Sequence, residues 1–188
     1  MTLHARDVEN TFELFLHRVS GAAVLDGGVY EDVEADPGAT RQAVTVVLLA
    51  AVAAGIGAGG LVGPHPAALA SITALALSTW VAWGTLMFQI GTRLLPEAQT
   101  RATLGELLRT TGFAAAPGVL QVFAILPGMA VPVFVVTWIW MIGAMIVGVR
   151  HALDYQSTAR AIAVCLVAAG LALALAFAFG VVFAPVVS

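Results

Sequence analysis

The chain has 188 residues, 60% of them hydrophobic, and its charge is confined to 8 Lys+Arg and 11 Asp+Glu. A soluble domain is typically about 25% charged, so this composition excludes a water-exposed globule, and no nucleic-acid partner is expected. No Asp, Glu, Lys or Arg occurs from Gln42 to Thr92, from Thr110 to Val149 or from Ala161 to Ser188, which makes this an integral membrane protein.

Residues 1–36 read as a cytoplasmic amino-terminal segment. They hold eight acids and no uninterrupted apolar core, unlike a signal peptide. Asn10-Thr11-Phe12-Glu13 has the form of a capping box. Behind it Phe12, Phe15, Leu16, Val19 and Ala23 recur at helical spacing, which predicts an amphipathic helix against the membrane or the protein's own spans. Asp26-Gly27-Gly28 predicts a turn. Tyr30 to Asp36 forms a compact acidic segment, and Asp36-Pro37 is expected to open the first spanning helix as cap and first-turn proline. The spacing of Glu31, Asp32, Glu34 and Asp36 does not fit a calcium loop, and His4 and His17 have no companion ligands. No metal or cofactor is expected.

A spanning helix needs about 20 apolar residues, so each of the first two charge-free stretches is long enough for a hairpin. Gly59-Gly60 and Gly63-Pro64-His65-Pro66 divide the first into spans near 40–61 and 67–93. Leu126-Pro127-Gly128 divides the second into spans near 104–126 and 131–150, and the third stretch supplies a span near 159–183. The expected fold is an all-α, five-helix membrane bundle over residues 37–188. Thr103 to Glu106 is a second capping box, and Ser157 or Thr158 caps the last helix. Because both hairpins return to the side they left, all eight Arg and all eleven acids fall on one face. The positive-inside rule makes that face cytoplasmic, with the amino terminus inside and the carboxyl terminus outside a bacterial inner membrane.

Within the spans no ionisable carboxylate, Lys or Arg is expected at mid-depth, which argues against an ion pump. Gln89 and Gln121 are expected to bond between helices. Stripes of small residues (Ala51, Gly55, Gly59 and Gly63; Ala70, Ala74, Ser78 and Ala82; Ala168, Ala172, Ala176 and Gly180) predict close helix packing or an oligomer interface. Cys165 reads as a small packing residue. Trp80, Trp83, Trp138 and Trp140 fall near the midplane, where they either pack the second span against the fourth or line an apolar cavity for a lipid tail or quinone-like ligand. Pro117-Gly118 predicts a kink in the third span.

Gly91-Thr92-Arg93-Leu94-Leu95, Gly105-Glu106-Leu107-Leu108-Arg109, Gly112 to Gly118, Leu126-Pro127-Gly128 and the run from Val149 to Ile162 resemble the bacterial branch of the Yip (Ypt-interacting protein) membrane domain family. Tyr30-Glu31-Asp32-Val33-Glu34 is similar to the segment that precedes the family's first span. The resemblance covers residues 25–180, and Ala152-Leu153-Asp154-Tyr155 is its most specific part. It implies a five-span protein with a cytoplasmic amino terminus. Eukaryotic members act as non-enzymatic factors that engage lipidated small GTPases; their Asp-Leu-Tyr-Gly-Pro segment is absent here, so that role does not carry over.

The sequence therefore points to a non-enzymatic scaffold or accessory subunit. Its partners would be membrane lipids and another membrane protein or further copies of the chain. Tyr30, Glu31, Asp32, Glu34, Arg109, Arg150, Asp154 and Tyr155 are the candidate docking residues. A permease or a lipid- or quinone-binding module is the alternative. There is no catalytic Ser/His pair, metal-ligand helix or buried carboxylate for an enzyme.

Overall fold

The computed structural model describes residues 2–59 and 66–183. Gly60, the Gly63-Pro64-His65 turn and the tail after Phe183 lie outside the described residues, as do the side chains of His4 and Ala70. Among the described residues there is no strand. The helices are α1 (Thr2–Ala23), α2 (Gly27–Ala35), α3 (Ala39–Gly57), α4 (Pro66–Gln89), α5 (Leu104–Phe113), α6 (Ala130–Ala152) and α7 (Thr158–Phe183). A π-helical turn, Ile90–Leu94, extends α4, and a 3-10 helix, Ala116–Ile125, follows α5. Four stretches are long and apolar enough to cross a membrane: Ala39–Gly57, Thr73–Leu94, Ala130–Ala152 and Thr158–Ala178.

The expected third span, 104–126, is not one kinked helix. Pro117 has no N–H for the Phe113 carbonyl, and its ring would press on that carbonyl. The α-helix therefore stops at Phe113. Hydrogen bonding changes to three-residue steps, from Ala115 N–H to Gly112 O (3.2 Å) and from Gly118 N–H to Ala115 O (2.8 Å). Both pieces still follow α3. A Cβ on Gly112 would meet Ala43 Cβ at 2.8 Å, and one on Gly118 would meet Ala50 Cβ at 3.2 Å. One on Gly57 would run into the carbonyl oxygen of Gln121. The broken segment thus lies beside α3 from its first turn to its last. At ~1.5 Å per α residue and ~2.0 Å per 3-10 residue its two pieces add up to roughly 35 Å, enough for ~30 Å of hydrocarbon.

Other boundaries shift for local reasons. Asn10 and Glu13 lie inside α1, so the expected capping box is not a helix start. Asp26 caps α2 by accepting from Gly28 N–H at 2.9 Å, which makes the acidic segment helical. Asp36 ends α2 and accepts from Gly38 N–H at 2.8 Å, so α3 begins at Ala39 and not at Pro37. The Thr103–Glu106 box forms in both directions, at 2.7 and 3.3 Å.

The small-residue stripes lie mostly off the buried faces of the chain. On α3 the buried residues are Ala39, Ala43, Val46, Val47, Ala50, Ala53 and Gly57, a face offset from the stripe through Ala51 and Gly55. Ala74, Ser78 and Ala82 of α4 are exposed; in the α7 stripe Ala168 is buried, Ala172 partly covered and Ala176 exposed, and the burial of Gly180 lies outside what is described. The α5 helix packs against both α4 and α6 and stands between them. One core cluster joins Met87, Ile90, Leu107, Val149, Leu153 and Val164; the other joins Tyr30, Val33, Ala43, Val46 and Phe113 beneath α1.

Candidate functional site

The charged residues gather at one end of the bundle, where α2, the end of α4, the start of α5 and the end of α6 meet. Arg109 on α5 is buried, and its Nε donates to the Val33 carbonyl at 3.0 Å while Nη2 donates to that of Glu34. These carbonyls belong to the last turn of α2, which has no helical partners for them and carries the negative end of its dipole. On the other flank of α2, Arg18 of α1 is buried against Asp32 (2.8 Å), Asp36 (2.9 Å) and the Gln42 side-chain oxygen (3.0 Å). Burial works against the Arg18 charge, but the hydrogen bonds to Asp32 and Asp36 outweigh it and hold its pKa above the ordinary value. Asp36 is held below the usual carboxylate range by the Gly38 N–H and by Arg18.

The Ala152 to Tyr155 block closes the α6 end. Leu153 is fully buried and fills the space beside Gly91, where a Cβ would collide with it. Asp154 takes a left-handed turn conformation, φ 53°. The Tyr155 hydroxyl reaches the carbonyls of Gly91 (3.0 Å) and Leu95 (2.7 Å) around the π turn. Burial, with Glu97 nearby, raises the Tyr155 pKa. Arg160 pairs with Glu97 at 3.4 Å and donates to the Pro96 carbonyl at 2.7 Å.

Between α2 and this block lies a cavity of about 480 Å³ lined by Glu31, Glu34, Ala35, Glu106, Arg150, His151, Asp154, Tyr155 and Gln156. Four carboxylates face one guanidinium and one imidazole. Glu34 is pushed up to about 7 by burial, then by the charges of Asp154 and Glu106, against the opposing pull of Arg109. Glu31 lies 3.4 Å from His151 Nδ1, and Tyr30 stacks on the His151 ring with centroids 6.4 Å apart. Tyr30 is fully buried, its hydroxyl donating to the Ala22 carbonyl at 3.2 Å, and burial raises its pKa.

Five of the eight sequence-derived docking residues (Glu31, Glu34, Arg150, Asp154 and Tyr155) thus line one cavity. Tyr30 lies beneath it as a packing residue. Asp32 turns to Arg18, and Arg109 is spent on the end of α2. The sequence did not single out Arg18, Glu106 (read only as a cap) or His151. Arg18 could have been found as the lone cation among the apolar positions of α1. Among the described residues no group of three His, Cys, Asp or Glu could hold a metal ion.

The tryptophans do not converge. Trp138 is 60% exposed. Trp140 donates to the Ala23 carbonyl at 2.6 Å. Trp80 packs at Gly112 with its indole N–H buried and unpartnered, and Trp83 joins the other core cluster. Trp83, from the second span, packs in the cluster that also takes Met145, Ile146 and Val149 of the fourth, while the other three rings take separate neighbours.

A family model described as the Yip1 domain matches residues 27–179. No curated protein and no solved structure matches the chain.

Proposed function

The chain belongs to the Yip1 domain family, and from that premise we propose a non-enzymatic multi-pass membrane protein. It acts as a scaffold or accessory subunit that docks a basic segment of a partner in the acidic cavity at its charged end. The observation that carries this reading is convergence. Glu31, Glu34, Glu106 and Asp154 come from three separate parts of the chain and face one space with fewer cations than acids. With buried Arg18 taken up by two carboxylates and buried Arg109 by two carbonyls, an accessible excess of carboxylate suits a basic partner.

The chain crosses the bilayer five times in this reading, with α5 and the 3-10 helix together making the third crossing. By the positive-inside rule the charged end is cytoplasmic, in a bacterial inner membrane. The alternative, a permease or a lipid- or quinone-binding module, would need the tryptophans around a shared cavity, and they take separate neighbours.

The test is purification of the full chain in mild detergent with mass spectrometry of what comes with it. The wild type is expected to retain a stoichiometric partner. Glu31→Lys combined with Asp154→Asn is expected to lose it, while Arg101→Ala, at an exposed loop position, keeps it. A clean monomer or homo-oligomer from the wild type would defeat the proposal.

A further inference from the structure

The register of the α1–α2 hairpin against α6 has a bearing on where the hairpin lies in the bilayer. Trp140 Nε1 holds the Ala23 carbonyl, and Leu25 Cδ2 sits 3.3 Å from where a Cβ on Gly143 would be. Counting back from Arg150 at the charged end, Gly143 and Trp140 lie about 10 and 15 Å up the helix axis. Only Gly27 returns to the charged level, where a Cβ on it would meet His151 Nε2 at 2.8 Å. The end of α1 touches α5 and the 3-10 helix, and its Phe15, Val19 and Ala22 share a core cluster with Val46, Phe113 and Ala116. Val46 is about 10 Å along α3 from its first residue.

Side-chain chemistry agrees with that depth. Val24 is 70% exposed, Leu16 49% and Leu25 36%. Leu25 lies against Gly143 of α6, whose Val135, Val136, Trp138, Ile139 and Ile142 are exposed too. Arg18 is enclosed by two carboxylates and an amide, while Glu13 and His17 are exposed earlier in α1 and Asp26 just past the corner, which leaves Val24 and Leu25 as the uncharged exposed stretch. The Ser20 hydroxyl turns inward to the carbonyls of Leu16 (2.8 Å) and His17 (3.0 Å). Charges in hydrocarbon are tolerated when paired, and hydroxyls when they bond to backbone.

We infer that the Ala23–Leu25 corner between α1 and α2 is inserted among the acyl chains of the leaflet on the protein's charged side, where Val24 and Leu25 contact lipid. This surface is separate from the acidic cavity and rests only on α6 as a span. An interfacial helix lies at the headgroup boundary; this hairpin goes deeper because α6 and the 3-10 segment hold its backbone there.

The single native cysteine makes the test direct. In a Cys165→Ala background, nitroxide labels are placed at Val24→Cys, at Ile142→Cys as a lipid-facing reference and at Arg101→Cys as an aqueous one. The full chain is reconstituted in phosphatidylethanolamine–phosphatidylglycerol vesicles, and collisions with oxygen and with a water-soluble nickel chelate are compared. The label at Val24 is expected to match Ile142, with an oxygen-to-nickel ratio several-fold above that at Arg101. A ratio like that at Arg101 would place the turn in water and overturn the inference. So would protection from both reagents, which would mean a protein surface covers it. Circular dichroism and gel filtration of each variant confirm that a folded chain is being read.

Discussion

Arg109 and Val33, 76 residues apart in sequence, meet where the Arg109 Nε–H donates to the Val33 carbonyl at 3.0 Å. With the neighbouring bond to Glu34, one buried guanidinium closes the carboxyl end of α2 and fixes the wall of the acidic cavity.

Removing that group leaves two carbonyls without donors and a hole in the packing. Arg109→Ala is expected to lower stability by about 2–4 kcal/mol. Arg109→Lys, which keeps the charge but loses the planar fork, should recover only part of this. Thermal unfolding in detergent gives the loss. Limited proteolysis should show new cleavage near Ala35, because α2 loses its anchor before the spans melt.

Glu34 makes stability depend on pH. Its folded value of about 7 lies above the ordinary 4.5, so the folded chain holds a proton that the unfolded chain releases first. Stability is therefore full below about 4.5 and falls as pH rises toward 7, where Glu34 ionises in the fold. Glu34→Gln should flatten this part of the profile between pH 5 and 8, read as melting temperature against pH. Capture of a basic partner should run the other way, strengthening as Glu34 gains its charge.

Tyr155 and Gly91 provide a matched pair at the π turn. Tyr155→Phe removes a buried hydroxyl that serves two carbonyls, at a cost of about 1–2 kcal/mol. Gly91→Ala sets a methyl against the Leu153 side chain, which is fully buried and must shift within its cluster, so its cost should be the larger, up to about 3 kcal/mol. Chemical denaturation of both variants ranks them. An equal or reversed order would mean that Leu153 repacks.

Gly57→Ala tests the seam between α3 and the 3-10 helix. The added methyl would collide with a backbone oxygen of Gln121, which cannot rotate away as a side chain can. It should destabilise by several kcal/mol, at the upper end of the usual overpacking range of roughly 1–3 kcal/mol or beyond. Gly170→Ala, whose Cβ would meet nothing within 4 Å, should be neutral in the same thermal assay.

Much of this architecture could be read from charge alone. The gaps between Arg41 and Arg93 and between Arg109 and Arg150 bracket helices whose observed ends at Ala39, Leu94 and Ala152 fall within a few residues of expectation. The Thr103–Glu106 box is local chemistry and formed as read. The stop after Phe113 was half visible: Pro117 signals a break, but a ten-residue 3-10 continuation depends on how closely Gly57 and Ala50 of α3 approach it. That is a tertiary fact with no local signature. The cavity was legible as a list of acids and arginines but not as a place. Which side of α2 each acid faces is fixed by Arg18 and Arg109, one on each flank, and neither pairing follows from spacing. The depth of the tryptophans could be read by counting along each helix, but their directions around it could not, and only Trp83 joins the cluster shared by the second and fourth spans.

The 3-10 helix has a consequence for how this part of the chain tolerates changes in length. Gly118, Gln121 and Ala124 are buried, and Leu120, Phe123 and Leu126 are exposed. That is a strict threefold phase, as three residues per turn require, where an α-helix at 3.6 would drift out of it. One extra residue between Gly118 and Gln121 would turn everything after it by a third of a revolution. Leu120 and Phe123 would then point into the bundle, where Gln121 now bonds Thr137 of α6 and Ala124 fits beside Gly57 of α3. Three extra residues would restore the phase and lengthen the helix by about 6 Å. The outer half of this segment therefore admits length variation in threes, and a one-residue insertion should disrupt folding more than a three-residue one.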